Sequence, residues 1–263
     1  MVRHKHLLWQ RRVLLAVIAA LSSFLINLLI PMKAPTYPAN SPLTTPLMEQ
    51  KTFSVQPRFQ ANVIRQVKLS SKKKVVALTF DDGPTPNTTP QILEILKEKN
   101  VKGTFFLIGQ KLQNFPQIGQ QIVADGHTLG NHTWHHWRNL MMEFTAAHEI
   151  EDTAALMYEV TGVKTSLFRP PNGFLHNGLA DYALKRKDAV VLWSVDSGDW
   201  RGSRVTVEAL VNRVVEGVKP GGIVLMHDGG GDRSRTVQAL PKIIEELTQR
   251  GYEFVSVPEL LQM

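Results

Sequence analysis

From Lys74 to the C-terminus, short apolar runs alternate with amphipathic stretches, and this rhythm limits the fold before any single residue is weighed. VVALTF (75–80) precedes a segment with Ile92, Leu93, Ile95 and Leu96 at helical spacing. TFFLIG (104–109) follows, then a predicted helix near 116–124, then HTLG (127–130). Predicted helices near 144–160, 178–187, 206–217 and 237–250 lead in turn to SLF (166–168), VVLWSV (190–195), GIVLM (222–226) and YEFVSV (252–257). Runs too short for helices, separated by single amphipathic helices, are parallel strands joined by crossovers. The expected class is α/β, with parallel strands curled into a barrel. No internal repeat is visible, which excludes a solenoid.

The N-terminal quarter has a different character. Residues 13–32 form an uncharged stretch of twenty, preceded by Arg3, Lys5, Arg11 and Arg12, with Trp9 at interface depth. That length fits a membrane span better than the shorter apolar core of a cleaved signal, and the positive flank places residues 1–12 in the cytoplasm and the body outside. Residues 33–71 read as a Pro-rich extended linker, within which 59–69 holds a short strand or helix. The body is expected over 72–263. The formal charge of +7 is a property of this front end: residues 1–74 carry 12 Lys/Arg against one acidic residue, whereas 75–263 carry 18 against 22. A body with negative net charge does not suit nucleic acid. With no cysteine in the chain, any metal must sit on His, Asp or Glu.

Polar residues of catalytic type come directly after successive apolar runs. Asp81 and Asp82 follow the first, Asn131 and His132 the third, and Arg169 follows SLF. Asp196 and Asp199 follow VVLWSV, and His227 and Asp228 follow GIVLM. In a barrel of parallel strands these ends share one face, where such folds place their chemistry. Adjacent carboxylates at a buried strand end repel each other unless a cation or a shared proton offsets the repulsion, although DDGPTPN is also ordinary turn composition. His132 and His136, at i,i+4, present both imidazoles to one ion if the chain turns helical there, with His135 the competing second ligand. Two imidazoles and a carboxylate leave the open coordination position of a hydrolytic metal site, for which zinc is suited. The other aspartate of the pair then stands close enough to take a proton from water. His227 is placed to protonate a leaving group, with Asp199 as its partner and Arg169 orienting Asp81. Asp199 as a helix N-cap is the structural alternative. HDGGGDRSR (227–235) lacks the GK[ST] of a phosphate loop and reads as a rim loop.

TFDDGP (79–84), HTWHH (132–136), RPPNG (169–173), DSGDW (196–200) and LMHD (225–228) resemble, in order, the five motifs of the polysaccharide deacetylases of the NodB-homology type, carbohydrate esterase family 4. The resemblance spans about residues 74–261. It implies a deformed (β/α) barrel and metal-dependent removal of acetyl groups from acetylated sugars. It further implies Asp81 as general base, Asp82, His132 and His136 as metal ligands, and His227 as general acid. Arg169 and Asp199 resemble the residues that tune Asp81 and His227, and Trp200 and Leu225 resemble the apolar walls around the acetyl methyl. The backbone N–H of Asn172 would help hold the tetrahedral oxyanion, although the family usually has an aromatic residue at this position. The ion is expected to be zinc, with cobalt, nickel or manganese as alternatives. The expected substrate is an N-acetylated amino-sugar polymer outside the membrane, with peptidoglycan N-acetylglucosamine foremost and chitooligosaccharides or acetylated xylan next. A non-catalytic wall-binding module would need no matched acid and base, and a non-haem iron oxygenase site is normally built on an all-β scaffold.

Overall fold

The computed structural model describes residues 51–70 and 73–263. The expected cytoplasmic segment, the expected membrane anchor and the expected linker as far as residue 50 lie outside the described residues. Among those described, no helix is long and apolar enough to cross a membrane.

Eleven strands occur among the described residues. β3 (Val75–Gly83) is the longest and forms the middle of the sheet with β4 (Thr104–Leu107) and β10 (Gly222–His227) on either side. β5 (Thr128–Asn131), β7 (Leu167–Phe168), β8 (Ala189–Val191) and β2 (Val63–Ile64) continue outward from β4, and β9 (Val195–Asp196) lies beyond β10. β11 (Glu253–Phe254) pairs with the start of β3, and β1 (Lys51–Phe53) pairs with β6 (Val163–Thr165) in a separate ribbon. All these strand pairs are parallel, and an isolated antiparallel bridge from Gln66 to Gly222 brings the chain after β2 round to β10. The result is a curled, incompletely closed α/β barrel, in line with the sequence rhythm.

Two corrections follow from these pairings. The linker expected to run to Ser71 has already given way to folded chain at Lys51, because β1 and β2 dock on β6 and β8 and bury Val55, Ile64 and Val67. A strand of three residues carries no readable period, so composition alone missed β1, whereas β2 falls within 59–69, where a short strand or helix was expected. The run VVLWSV, read as one strand, breaks into β8 and β9, with Trp193 in the gap.

Alternation along the strands sorts the two faces. On β3, Val76, Leu78 and Phe80 pack outward with α1 (Thr89–Glu98) and α7 (Ser234–Gln249), whereas Val75 and Ala77 belong to the inner cluster with Phe106, Leu167, Val191 and Ile223. Each such fully buried aliphatic side chain contributes about 1.5–3 kcal/mol. The inner series on β3 continues to Thr79 and Asp81, and that on β10 from Ile223 to Leu225 and His227. One periodicity that builds the barrel core therefore carries catalytic-type side chains to its open end. Gly130 on β5 is required by this packing, since a Cβ there would stand 2.4 Å from the Phe106 ring.

Candidate active site

Asp81 and His227 are register partners on the adjacent strands β3 and β10. In a regular strand Asp82 would face away from Asp81. A register irregularity between Asp81 and Gly83, with Asp82 at φ 71°, turns its side chain back to the same cavity. Lys111, on α2 (Gly109–Asn114), donates to the Asp82 carbonyl oxygen at 2.5 Å and fixes this unusual turn.

Asp82, His132 and His136 each bring one donor atom to within 4.8 Å of the others. Asp82 Oδ1 lies 3.5 Å from His132 Nε2 and 3.2 Å from His136 Nε2, and it is a buried oxygen with no hydrogen-bond donor. The His132 Nδ1–H donates to the Arg169 carbonyl at 2.7 Å, which leaves the Nε2 lone pair facing Asp82. Burial, reinforced by the neighbouring His132 imidazole, pushes the His136 pKa down to about 4, so this imidazole is neutral at physiological pH. Burial opposes ionisation of Asp82, but the neighbouring imidazoles, His132 foremost and then His136 and His227, outweigh it and hold the carboxyl below its ordinary range. An orphaned carboxylate oxygen facing the Nε2 atoms of two imidazoles is a donor set that fits a divalent cation.

The two imidazoles converge without the helical turn expected from their spacing. Thr133 and His136 both have positive φ, at 69° and 62°. The Thr133 amide donates to Asn131 Oδ1, and Thr133 Oγ1 accepts from the His136 amide. His135 is no ligand. Its Nδ1 lies 2.5 Å from Glu149 Oε1, and Glu149 Oε2 accepts from the Trp134 and His135 amides. Glu149 is a buried residue of α4 (Glu143–Thr161) that the sequence reading missed.

Arg169 is fully buried and donates to Asp81 Oδ1 at 2.7 Å, to Thr79 Oγ1, and to the carbonyls of Val191 and Leu192. Asp81 Oδ2 lies 3.8 Å from His132 Nε2. Across the cavity, His227 Nδ1 donates to Asp199 Oδ1 at 2.6 Å, while Asp199 Oδ2 accepts from the His227 amide and Thr236 Oγ1. Burial lowers the His227 pKa, yet Asp199, together with Asp81 and Asp82, overcomes it and raises the value to about 9. The role of N-cap considered for Asp199 falls instead to Thr206, which caps α6 (Val207–Gly217).

Asp81, Asp82, His132, His136 and His227 line one cavity of about 390 Å³. Leu225 forms a buried wall, and Trp200, held by Asp196 at 3.1 Å, stands half-exposed at the mouth. Asn172 also borders the cavity, exposed, with φ 57°. Trp193 adds an aromatic wall that the sequence reading did not single out, packed so closely on Gly173 that a Cβ there would come within 2.8 Å. The rim loop after His227 is pinned by buried Arg233, which donates to the carbonyls of Gly229 and Gly230.

Residues 68–189 match the family model described as polysaccharide deacetylase. A peptidoglycan-N-acetylglucosamine deacetylase of Bacillus cereus is 41% identical over 195 residues, covering 73% of this chain and 90% of that protein. The chain belongs to the polysaccharide deacetylase family. A crystal structure of a peptidoglycan N-acetylglucosamine deacetylase overlays with a TM-score of 0.71 at 36% identity, covering 78% of this chain and 94% of the other. A chitooligosaccharide deacetylase of Azorhizobium caulinodans is 31% identical, covering 73% of this chain and 96% of its own. Polysaccharide deacetylases of this family are hydrolases that use a divalent metal, and the chain is an enzyme of that class.

Proposed function

We propose that the protein removes the N-acetyl group from N-acetylglucosamine of peptidoglycan. The observation that carries this reading is the joining, in one cavity, of an Arg169-oriented carboxylate, an Asp199-bound imidazole and a metal-fitting triad. Similarity to the named Bacillus cereus enzyme supports the substrate.

Asp82, His132 and His136 would hold the ion, for which their nitrogen and oxygen donors favour zinc. When bound it supplies a Lewis acid that polarises the acetyl carbonyl and makes nearby water more acidic. Asp81, held through Oδ1 by Arg169, has Oδ2 free to accept a proton from water as the new C–O bond forms. His227, protonated and oriented through Nδ1, gives its Nε2 proton to the sugar nitrogen as the C–N bond breaks. Acetate and a free amine result. Leu225 and Trp200 bound the space for the acetyl methyl, and the backbone at Asn172 borders the same space.

The uncharged stretch 13–32 and the prolines that follow support tethering to the outer face of the cytoplasmic membrane. About eighteen linker residues (33–50) would reach roughly 55 Å if extended. Incubation with peptidoglycan and assay of acetate and free amine tests the reading. Asp81→Asn, Asp82→Ala and His132→Ala are each expected to abolish acetate release, and undiminished activity in any one of them overturns the assignment. A chitooligosaccharide substrate is the second reading, supported by the Azorhizobium caulinodans relative.

A further inference from the structure

Almost every charged side chain that borders the cavity has a partner. Asp81 is paired with Arg169, Asp82 faces two imidazoles, and His227 is held by Asp199. Asp196 accepts from the Gly198 amide and from the Trp200 indole, and Arg233 is consumed by backbone carbonyls. Arg138 also lines the cavity but makes no ion pair or hydrogen bond with any described residue.

Its backbone is nonetheless well placed. Buried Glu149 grips His135, and the His135 ring stacks on Trp137 with centroids 4.2 Å apart and planes 6° from parallel. His135 and Trp137 thus form one anchored stack, while His136 and Arg138, which alternate with them, border the cavity. A guanidinium on an anchored loop, at the mouth of the site and without a counter-charge, matches the fork geometry of a carboxylate.

We propose that Arg138 is a specificity-determining residue that binds a carboxylate carried by the sugar chain next to the reacting acetamide, so that the enzyme prefers acidic over neutral N-acetylated glycans. This rests on the deacetylase reading and narrows its substrate class. Two sources share the chemistry: a free lactyl carboxylate on muramic acid, and the carboxylates of a peptide stem.

The test compares kcat/KM for acetate release from three substrates: peptide-free peptidoglycan strands, peptide-bearing strands and neutral N-acetylglucosamine oligomers. For Arg138→Gln, the ratio of acidic to neutral kcat/KM is expected to fall about threefold to fivefold, through KM, as for a partly exposed ion pair. Arg138→Lys should recover part of the ratio. Raising salt from about 0.05 to 0.5 M should reduce the native preference and leave that of Arg138→Gln nearly flat. Whichever acidic strand loses most identifies the source. Equal losses on acidic and neutral substrates, or no loss on any, overturn the proposal. If the native protein releases no acetate from any glycan, the deacetylase reading fails. Calorimetric binding of the same glycans to Asp81→Asn and to Asp81→Asn/Arg138→Gln then decides the Arg138 proposal by itself.

Discussion

Asp199→Asn isolates the electrostatic part of the proposed acid. Asp199 accepts from His227 Nδ1 at 2.6 Å and is the largest of the influences that raise the imidazole to about 9 against the opposing effect of burial. Asparagine keeps the shape and removes the charge, so His227 should return to about 6.5, its ordinary value, or lower, since burial then acts with less opposition. At pH 6 most of the imidazole would still be protonated, and protonation alone would cost little. At pH 7.5 the protonated fraction would drop about tenfold relative to the native enzyme, and at pH 8.5 by roughly two orders of magnitude. The assay is a pH profile of acetate release, with a nuclear magnetic resonance titration of the His227 ring and a thermal melt to confirm that the fold survives. The native alkaline limb should fall near pH 9 and that of the variant at least two pH units lower. A loss of equal size at every pH would refute the role of Asp199 in setting the charge of His227.

Other perturbations probe neighbouring parts of the site. Glu149→Ala strands the Trp134 and His135 amides and should cost about 2 kcal/mol in denaturant unfolding and weaken zinc affinity; a variant with native stability and native affinity would contradict the loop-anchoring role. Asp228 is fully buried, with Oδ1 unpartnered, and burial, only partly offset by the Thr89 hydrogen bond, raises its pKa to about 7. Its neutral form is thus favoured in the folded chain, so its contribution to stability falls as pH rises from about 4 through about 7. Asp228→Asn should flatten that decline, raising Tm more at pH 8 than at pH 5 in calorimetry, and equal shifts at both pH values would contradict it. Gly83→Ala would place a Cβ 2.0 Å from Asp228 Oδ2 and is expected to lower Tm sharply, whereas a native-like melt would show that this contact is readily relaxed.

The barrel and the five strand ends were legible because one physical signal, short apolar runs separated by amphipathic helices, governs both core and site. Asp81, Arg169 and His227 could be placed from that signal alone, whereas Leu225 came from the family resemblance. The convergence of Asp82, His132 and His136 was also foreseen, but the means was not. An i,i+4 spacing suggested a helical turn, whereas the chain uses left-handed backbone at Thr133 and His136 and an irregular register at Asp82. Such local geometry is set by hydrogen bonds donated by Lys111 and accepted by the Asn131 and Glu149 side chains, which leave no periodic trace. Trp193 escaped notice because it sits inside a run that reads as one continuous strand. Arg138 was overlooked because a charged loop residue is informative only once its neighbours are seen to be paired elsewhere.

The central claim is that Asp82, His132 and His136 together hold one divalent ion on which deacetylation depends. Its most direct test is titration of the chelated protein with zinc, following acetate release from peptidoglycan and the X-ray absorption spectrum together. Activity should rise to a plateau at one equivalent, with two imidazoles and one carboxylate in the coordination shell. Full activity in the chelated protein, or bound zinc with fewer than two imidazole ligands, would contradict the claim.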